Sequence, residues 1–324
     1  MSGDLPVEEA LARAAGAIRA ASVVSLACHV SPDGDALGSM LALHHVLCAA
    51  GIASVASFSE PFVIAPHYRE LPGLELLTPP DRFPGEPSVM VTFDSGSLAR
   101  LGDLERSAKA AEELVVIDHH VSNHRYGTIN VIDPDAAASG VLVRRLIDRL
   151  GFPVNRDAAV CLYAALVCDT GRFQYESTTP AVFELARELS CFDVPIPELS
   201  RTLFEEHRFA YLQLLAEALQ NAVLVPEKQF VWTKVSQVDL ACHDVTFDEV
   251  EGLIDVLRRT REAQVACVLK QGPDATWRVS LRSLGSVDVR HIAERQGGGG
   301  HRFAAGFTSD DSAEAIVAQI LSAL

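Results

Sequence analysis

Short apolar runs alternate with longer helical segments along the first half of the chain. A short apolar run bounded by turn residues is typical of a buried strand, whereas apolar residues at a spacing of three to four are typical of a helix. The predicted helices span 6–20, 36–50, 139–151 and 156–168, and the predicted strands span 22–28, 52–58, 88–93, 114–117 and 128–132. This alternation predicts an α/β fold in which helices flank a mostly parallel sheet.

The pattern changes after residues 191–197, where two prolines interrupt the helical spacing and indicate a linker. A connecting helix is predicted over residues 198–219. Beyond it, strands are predicted at 221–225, 229–235, 264–270 and 276–283, with a helix near 246–260 and a final helix at 311–323. The chain is therefore predicted to contain a larger domain at 1–190, a linker and helix at 191–219, and a smaller α+β domain at 220–324.

Acidic residues and histidines follow four of the apolar segments in the first half. One such residue alone is commonly a helix cap or a turn residue, but four occurrences, two of them with histidine, favour a shared site. If these segments are parallel strands, their carboxyl ends meet at one edge of the sheet. Imidazole and carboxylate ligands together suit manganese better than magnesium. The residues are His29, Asp33, Asp35, Asp94, Asp118, His119, His120 and Asp169.

Composition and charge narrow the class of protein. The 324 residues are 48% hydrophobic, enough for a sizeable core, and no run reaches the roughly 18 apolar residues of a membrane span. A net charge of −16 argues against binding of long nucleic acid. The seven cysteines form no Cys-x-x-Cys pair and no secretory signal precedes them, so a reduced, cytoplasmic protein is expected.

A basic segment contrasts with this acidic chain, because residues 258–302 contain nine Arg or Lys and four Asp or Glu. Such a segment favours a small anionic ligand bound locally, and a solvated basic face is the alternative. It includes the run 297–300 of four glycines, which allows the backbone to approach an anion closely and to present its N–H groups as a nest. Arg282 could pair bidentately with a phosphate.

Together the motifs resemble a known family. The sequences His29-x-x-x-Asp33-x-Asp35, Asp94, Asp118-His119-His120 and Asp169 resemble, in the same order, four motifs of the DHH phosphoesterase superfamily. Residues 297–306 resemble the signature of the DHH-associated C-terminal domain, and residues 280–283 upstream also resemble that domain. The resemblance runs from about residue 20 to the C-terminus and is greatest to the bacterial nanoRNase and pAp-phosphatase branch.

This resemblance implies two metal ions, usually Mn²⁺, with Mg²⁺ or Co²⁺ as alternatives. The first ion would be held by His29, Asp33 and Asp94. The second would be held by Asp35, Asp94, His119 and Asp169, so that Asp94 bridges the pair. Two such ions activate a hydroxide and stabilise the oxygens of an in-line displacement at phosphorus.

The resemblance also implies roles for residues outside the metal set. The implied catalytic residues are Asp94, Asp118 and His120. Asp118 is expected to orient a neighbour more readily than to bind metal, whereas His120 either contacts the scissile phosphate or supports another group through a hydrogen bond. The implied substrate-binding residues are Arg282, Ser283, Gly298, Gly299, Gly300 and His301.

The leading hypothesis is a manganese-dependent phosphoesterase that hydrolyses short oligoribonucleotides and the 3′-phosphate of pAp. A phosphodiesterase for cyclic di-AMP or pApA would share the same metal residues and remains an alternative. An inorganic pyrophosphatase is disfavoured because the chain has only four lysines, and a non-catalytic nucleotide sensor is disfavoured because every metal position is intact. Small nucleotides are the expected partners, and binding to long nucleic acid duplexes or to membranes is not expected. The sequence does not decide whether the protein forms a homodimer.

Overall fold

The computed structural model describes residues 5–324 and divides the chain into two compact units, the first ending at Leu203 and the second beginning at Phe204. The first unit contains a parallel five-stranded sheet with flanking helices, and the second contains a smaller mixed sheet with helices. The predicted fold class is confirmed.

The sheet of the first unit has the strand order β2-β1-β3-β4-β5, with every neighbouring pair parallel. Its strands are β1 (Val23–Cys28), β2 (Ala53–Ser57), β3 (Val89–Phe93), β4 (Glu113–Asp118) and β5 (Ile129–Ile132). Its helices are α1 (Val7–Ala20), α2 (Gly34–Ala49), α3 (Glu105–Ala110), α4 (Ser139–Leu150), α5 (Arg156–Asp169), α6 (Pro180–Ser190) and α7 (Ile196–Phe204). Parallel strands covered by helices are buried on both faces, which explains why all five residues of β3 are buried and four of them are apolar.

Helices α2 and α5 are buried on nearly all sides, as expected for helices that are apolar all round. They pack closely because Gly38 of α2 faces the backbone of α5. A Cβ atom at Gly38 would lie 2.4 Å from the carbonyl oxygen of Cys161. This close packing brings the N-terminus of α2 and the C-terminus of α5 near the same edge of the sheet, where the functional residues lie.

The second unit contains a six-stranded sheet of order β10-β11-β9-β8-β7-β6, in which only β7 and β8 pair in parallel. Its strands are β6 (Val223–Val225), β7 (Phe230–Val235), β8 (Val265–Gln271), β9 (Trp277–Ser283), β10 (Gly299–His301) and β11 (Ala304–Ser309). Its helices are α8 (Phe209–Gln220), α9 (Gln237–His243), α10 (Leu253–Leu257), α11 (Val289–Glu294) and α12 (Ala313–Ala323). Adjacent residues of β8 pack in different apolar clusters. Leu269 packs with α12, and Val268 packs with α10.

Several predicted elements differ from the structure. The single helix predicted over 198–219 is wrong, because α7 and α8 are separated by the polar residues 205–208. The helix predicted near 246–260 is also wrong, since Gly252 separates a short 3₁₀ turn from the short helix α10. The sequence pattern missed α3, α6, α9, α11, β10 and β11, which are short or rich in polar residues. None of the helices within residues 5–324 is long and apolar enough to cross a bilayer.

Candidate active site

Three neighbouring strands deliver the residues of the site to one sheet edge. Cys28 at the end of β1 lies in register with Phe93 at the end of β3, and Phe93 lies in register with Ile117 of β4. The residues that follow these positions therefore emerge together at the carboxyl edge of the sheet, where open α/β sheets commonly bind ligands. Asp169 is positioned by a helix. The fourth apolar segment is the C-terminal end of helix α5 and not a strand.

One group of side chains gathers around His29. Its Nε2 lies 3.6 Å from Oδ2 of Asp94 and 3.8 Å from Oδ2 of Asp33. Its Nδ1 donates to the carbonyl oxygen of Val30 at 2.8 Å, so Nε2 is the nitrogen turned to the carboxylates. Asp33 caps helix α2 through its Oδ1, which accepts the N–H groups of Asp35 and Ala36 and leaves Oδ2 directed at His29.

A second group gathers around His119. Its Nε2 lies 3.1 Å from Oδ2 of Asp169, 3.6 Å from Oδ1 of Asp94 and 3.8 Å from Oδ2 of Asp35. The Nδ1 of the same ring donates to the carbonyl oxygen of Ala136 at 3.0 Å. Asp94 thus belongs to both groups, with one carboxylate oxygen toward each histidine.

Asp94 has a left-handed backbone conformation, with φ of 53°. Its N–H donates to the carbonyl oxygen of Ile117 at 3.0 Å, which ties the turn after β3 to the neighbouring strand β4. Non-glycine residues rarely occupy this region, and those that do often sit at functional sites. The conformation places the Asp94 side chain between the two histidines.

The carboxylate of Asp118 is directed at protein donors. Its Oδ1 accepts hydrogen bonds from the N–H groups of His119 and His120 at 2.8 and 3.2 Å, and from Nδ1 of His120 at 2.7 Å. Its Oδ2 accepts from the side-chain amide of Asn123. Asp118 is fully buried, so these bonds fix both the loop and the His120 ring. Asn123 was missed in the sequence because it belongs to no motif.

Two further residues that sequence reasoning missed lie at the start of α4. The N–H groups of Ser139 and Gly140 donate to the two oxygens of Asp35 at 2.6 and 2.9 Å. The Ser139 hydroxyl donates to Oδ1 of Asp94 at 3.0 Å. The sequence offers one local sign of these contacts. Ala138, the residue before α4, is a poor capping residue, so the acceptors for the first N–H groups of the helix come from elsewhere.

The electrostatics of the site favour added positive charge. Burial raises the pKa of Asp35, and the nearby carboxylates of Asp94 and Asp169 raise it further. Burial and Arg100 lower the pKa of His29, but the carboxylates of Asp33 and Asp94 outweigh them and raise it to about 9. Clustered carboxylates and raised histidine pKa values are expected where cations complete a site.

The donor set fits two divalent cations. Among the described residues, His29, Asp33 and Asp94 offer ligand atoms within 4.8 Å of one another, and so do Asp35, Asp94 and His119. Both groups combine imidazole nitrogen with carboxylate oxygen, and both histidines have their second nitrogen bonded to a backbone carbonyl, as in many metal sites. The two groups share Asp94, so it is placed to bridge a metal pair.

Two of the residues predicted to bind substrate, Arg282 and Ser283, lie at the end of β9 in the second unit. Arg282 of β9 is half-buried, with its Nε 3.7 Å from Oδ1 of Asp255. Ser283 is 4% exposed, and its hydroxyl accepts the N–H of Gly285 at 3.4 Å. Because adjacent residues of a strand point to opposite faces, the side chains of Arg282 and Ser283 lie on opposite faces of the sheet. Ser280 shares the face of Arg282 and is half-buried.

The second half of the glycine run lies in a strand. Gly299–His301 make up β10, an edge strand paired with β11 in a tight hairpin. A Cβ atom at Gly298 would lie 2.1 Å from the carbonyl oxygen of Gly306, and one at Gly300 would lie 2.5 Å from that of Ala304, so two of the glycines serve backbone packing. An edge strand keeps unpaired backbone groups on its outer side, available to a ligand.

Family comparisons agree with this geometry. The model of the DHH family, N-terminal domain, matches residues 23–166, and the model of the DHHA1 domain matches residues 231–324. The chain belongs to the DHH phosphoesterase family, and the predictions of this family and of a hydrolase acting on phosphate esters are confirmed.

Individual relatives indicate which branch of the family this chain resembles. The bifunctional oligoribonuclease and PAP phosphatase NrnA of Thermus thermophilus is 32% identical over 286 residues, covering 88% of this chain and 83% of that protein. The NrnA protein of Bacillus subtilis, described in the same words, is 28% identical over 297 residues, covering 90% and 91%. A crystal structure of an exopolyphosphatase-related protein from Bacteroides fragilis shares the fold, with a TM-score of 0.88 at 23% identity and coverage of 98% and 95%.

Proposed function

We propose that this protein is a manganese-dependent phosphoesterase that hydrolyses short oligoribonucleotides to mononucleotides and removes the 3′-phosphate of pAp. The observation that carries the proposal is the pair of buried histidine–carboxylate groups sharing Asp94. The substrate class is supported by the NrnA relatives, which match this chain over most of both lengths.

Two Mn²⁺ ions would occupy the two groups. His29, Asp33 and Asp94 would hold one ion, and the other would be held by Asp35, Asp94, His119 and Asp169. When bound, such a pair supplies the positive charge that polarises a phosphate ester. The carboxylates are held in advance by hydrogen bonds from the protein, so little reorganisation is needed when the ions and substrate bind.

His120 is proposed to contact the scissile phosphate. Its Nδ1 donates to Asp118, which orients the ring and directs Nε2 away from that carboxylate. Asp118 is held in turn by Asn123 and by two backbone N–H groups. Asp118 is therefore proposed to position His120, and His120 to act on the substrate.

The second unit is proposed to bind the rest of the nucleotide. Arg282 offers a guanidinium suited to phosphate, and Ser280 accompanies it on the same face of the sheet. Gly298, Gly299, Gly300 and His301 would contribute the backbone of the edge strand and one imidazole. Ser283 is proposed to support the turn after β9 through Gly285.

Product analysis by chromatography tests the proposal. The metal-stripped, manganese-reloaded protein is incubated separately with pAp, a short RNA and cyclic di-AMP. Release of AMP from pAp and of mononucleotides from RNA, with the cyclic dinucleotide intact, supports the proposal. Opening of the cyclic dinucleotide with no action on the other two would assign the protein to cyclic-dinucleotide turnover, and hydrolysis of none of them would overturn the proposed activity.

A further inference from the structure

Helix α4 starts in a buried position without a capping side chain of its own. The residue before it, Ala138, has no side chain that could accept a hydrogen bond, and both Ala138 and Ser139 are fully buried. The first N–H groups of a helix need acceptors, and burial excludes water as the acceptor. Asp35 of α2 supplies them, because its two oxygens accept the N–H groups of Ser139 and Gly140. Asp35 is thus the cap of a helix other than its own.

The Ser139 hydroxyl forms a hydrogen bond with a second carboxylate of the group around His119. It donates to Oδ1 of Asp94 at 3.0 Å, while the backbone N–H of the same residue donates to Oδ2 of Asp35 at 2.6 Å. Ser139 therefore bonds both carboxylates that face His119, while Asp35 is held in addition by the Gly140 N–H and the Ser39 hydroxyl. These carboxylates carry like charge and repel each other when both are ionised, so their positions depend on such donors.

The neighbouring residue allows this approach. A Cβ atom at Gly140 would lie 2.8 Å from the Cβ of Ala165 on α5 and 3.5 Å from Oδ1 of Asp35. A larger residue there would move α4 away from α2 and α5. The absence of a side chain at Gly140 lets the start of α4 reach the carboxylates.

We propose that Ser139 is a positioning residue for the metal pair: it holds Asp35 and Asp94 at the separation at which both can bind the ion beside His119. This inference rests on the proposed function. Ser139 donates one hydrogen bond to each carboxylate, from its backbone N–H to Asp35 and from its hydroxyl to Asp94. Residues that orient metal ligands typically contribute about 10- to 100-fold to metal affinity or activity.

Calorimetric titration with Mn²⁺ alone tests the inference on the metal-stripped full chain. Ser139→Ala removes the bond to Asp94 and keeps the backbone bond to Asp35. The midpoint Mn²⁺ concentration should rise about 10- to 100-fold, while the metal-free melting temperature falls by no more than about 4 °C. Ser139→Cys keeps a donor at the same position, though a weaker one, and should give a smaller rise in the same direction. Ser312→Ala, which removes a serine at the start of α12 in the other unit, is the matched control and should leave the midpoint unchanged.

The outcomes separate this inference from the proposed function. If the wild-type protein binds no Mn²⁺, the proposed function fails. If the wild type binds Mn²⁺ and Ser139→Ala binds it with the same midpoint, only the role of Ser139 is overturned, even where hydrolysis is slower. If Ser139→Ala does not fold, the Ser139→Cys midpoint decides: a rise supports positioning and an unchanged value overturns it.

Discussion

The Oδ1 atom of Asp94 lies 3.6 Å from Nε2 of His119, while the other oxygen of the same carboxylate faces His29. This sharing of one carboxylate between two histidines defines the site. It arises because Asp94 follows the central strand of the three that end at the site, so its side chain lies between those carried by the neighbouring strands.

Replacing Asp94 should remove activity. Asp94→Asn loses the charge that both metal positions share, and we expect hydrolysis of pAp to fall at least about 10³-fold, because a metal ion contributes several kcal/mol to transition-state stabilisation. Steady-state kinetics at saturating Mn²⁺ measure this. Asp310→Asn makes the same chemical change at an exposed position of the second unit and should leave the rate unchanged. Activity in Asp94→Asn close to that of the control would refute the site assignment.

Replacing Asp118 should impair turnover more than metal binding. Asp118→Asn replaces the acceptor that orients His120, and we expect kcat to fall about 10- to 100-fold. Mn²⁺ affinity should change by less than about threefold, because Asp118 bonds the ring of His120 but only the backbone N–H of His119. Comparing kcat with the Mn²⁺ titration separates the two effects. A loss of Mn²⁺ affinity as large as the loss of kcat would instead make Asp118 a ligand.

Removing the Arg282 guanidinium should weaken substrate binding. A hydrogen bond from a charged donor contributes about 1.5–3 kcal/mol, so Arg282→Ala should raise the KM for pAp about 10- to 100-fold with Mn²⁺ affinity unchanged. Arg261→Ala removes an exposed arginine of the same basic segment and is the matched control. Equal KM values for the two variants would show that Arg282 does not contact the nucleotide.

The contact between α2 and α5 predicts opposite effects for two glycine substitutions. Gly38→Ala would place a Cβ atom 2.4 Å from the carbonyl oxygen of Cys161, and overpacking of this kind costs about 1–3 kcal/mol of stability. Gly16→Ala in α1 meets nothing within 4 Å and should be neutral or stabilise by up to about 1 kcal/mol. Thermal unfolding of the metal-free protein measures both. An unchanged melting temperature for Gly38→Ala would contradict the close packing of these helices.

The ion pair between Glu251 and Lys270 predicts a pH-dependent contribution to stability. Lys270 is 2% exposed, and its ammonium lies 2.5 Å from the Glu251 carboxylate. Burial tends to raise the pKa of Glu251, but Lys270, with Arg278 and Arg282, lowers it below its ordinary value. A carboxyl with a lowered folded-state pKa contributes stability above its unfolded pKa, and this contribution is lost as pH falls through the folded-state value.

Denaturant unfolding of Glu251→Gln at several pH values tests this contribution. The Glu251 side chain is 48% exposed, so water screens the pair and we expect a loss of about 1 kcal/mol near pH 7. The difference from the wild type should shrink as pH falls below about 4. A difference that stays constant between pH 7 and pH 3 would show that the charge of Glu251 does not contribute.

Much of the fold follows from local patterns. The strands that carry the site were predicted within one or two residues, because a buried strand between two helical layers needs a continuous apolar run. The break between α7 and α8 was not predicted, since the polar residues 205–208 are compatible with a helix and only packing decides where each helix ends. The strand β10 was not predicted either, because glycines disfavour strands locally and pairing with β11 overrides that preference.

The sequence by itself determined the family, the fold class and the residues proposed to bind metal, because each depends on residue identity and short-range order. Only the tertiary structure decided which residues contact one another. Asp94 lies close to both histidines, Asp118 bonds His120, and Ser139 bonds two carboxylates. These relationships join residues as much as 104 positions apart in the chain. They are set by strand order, register and helix packing, which no local pattern of apolar and polar residues specifies.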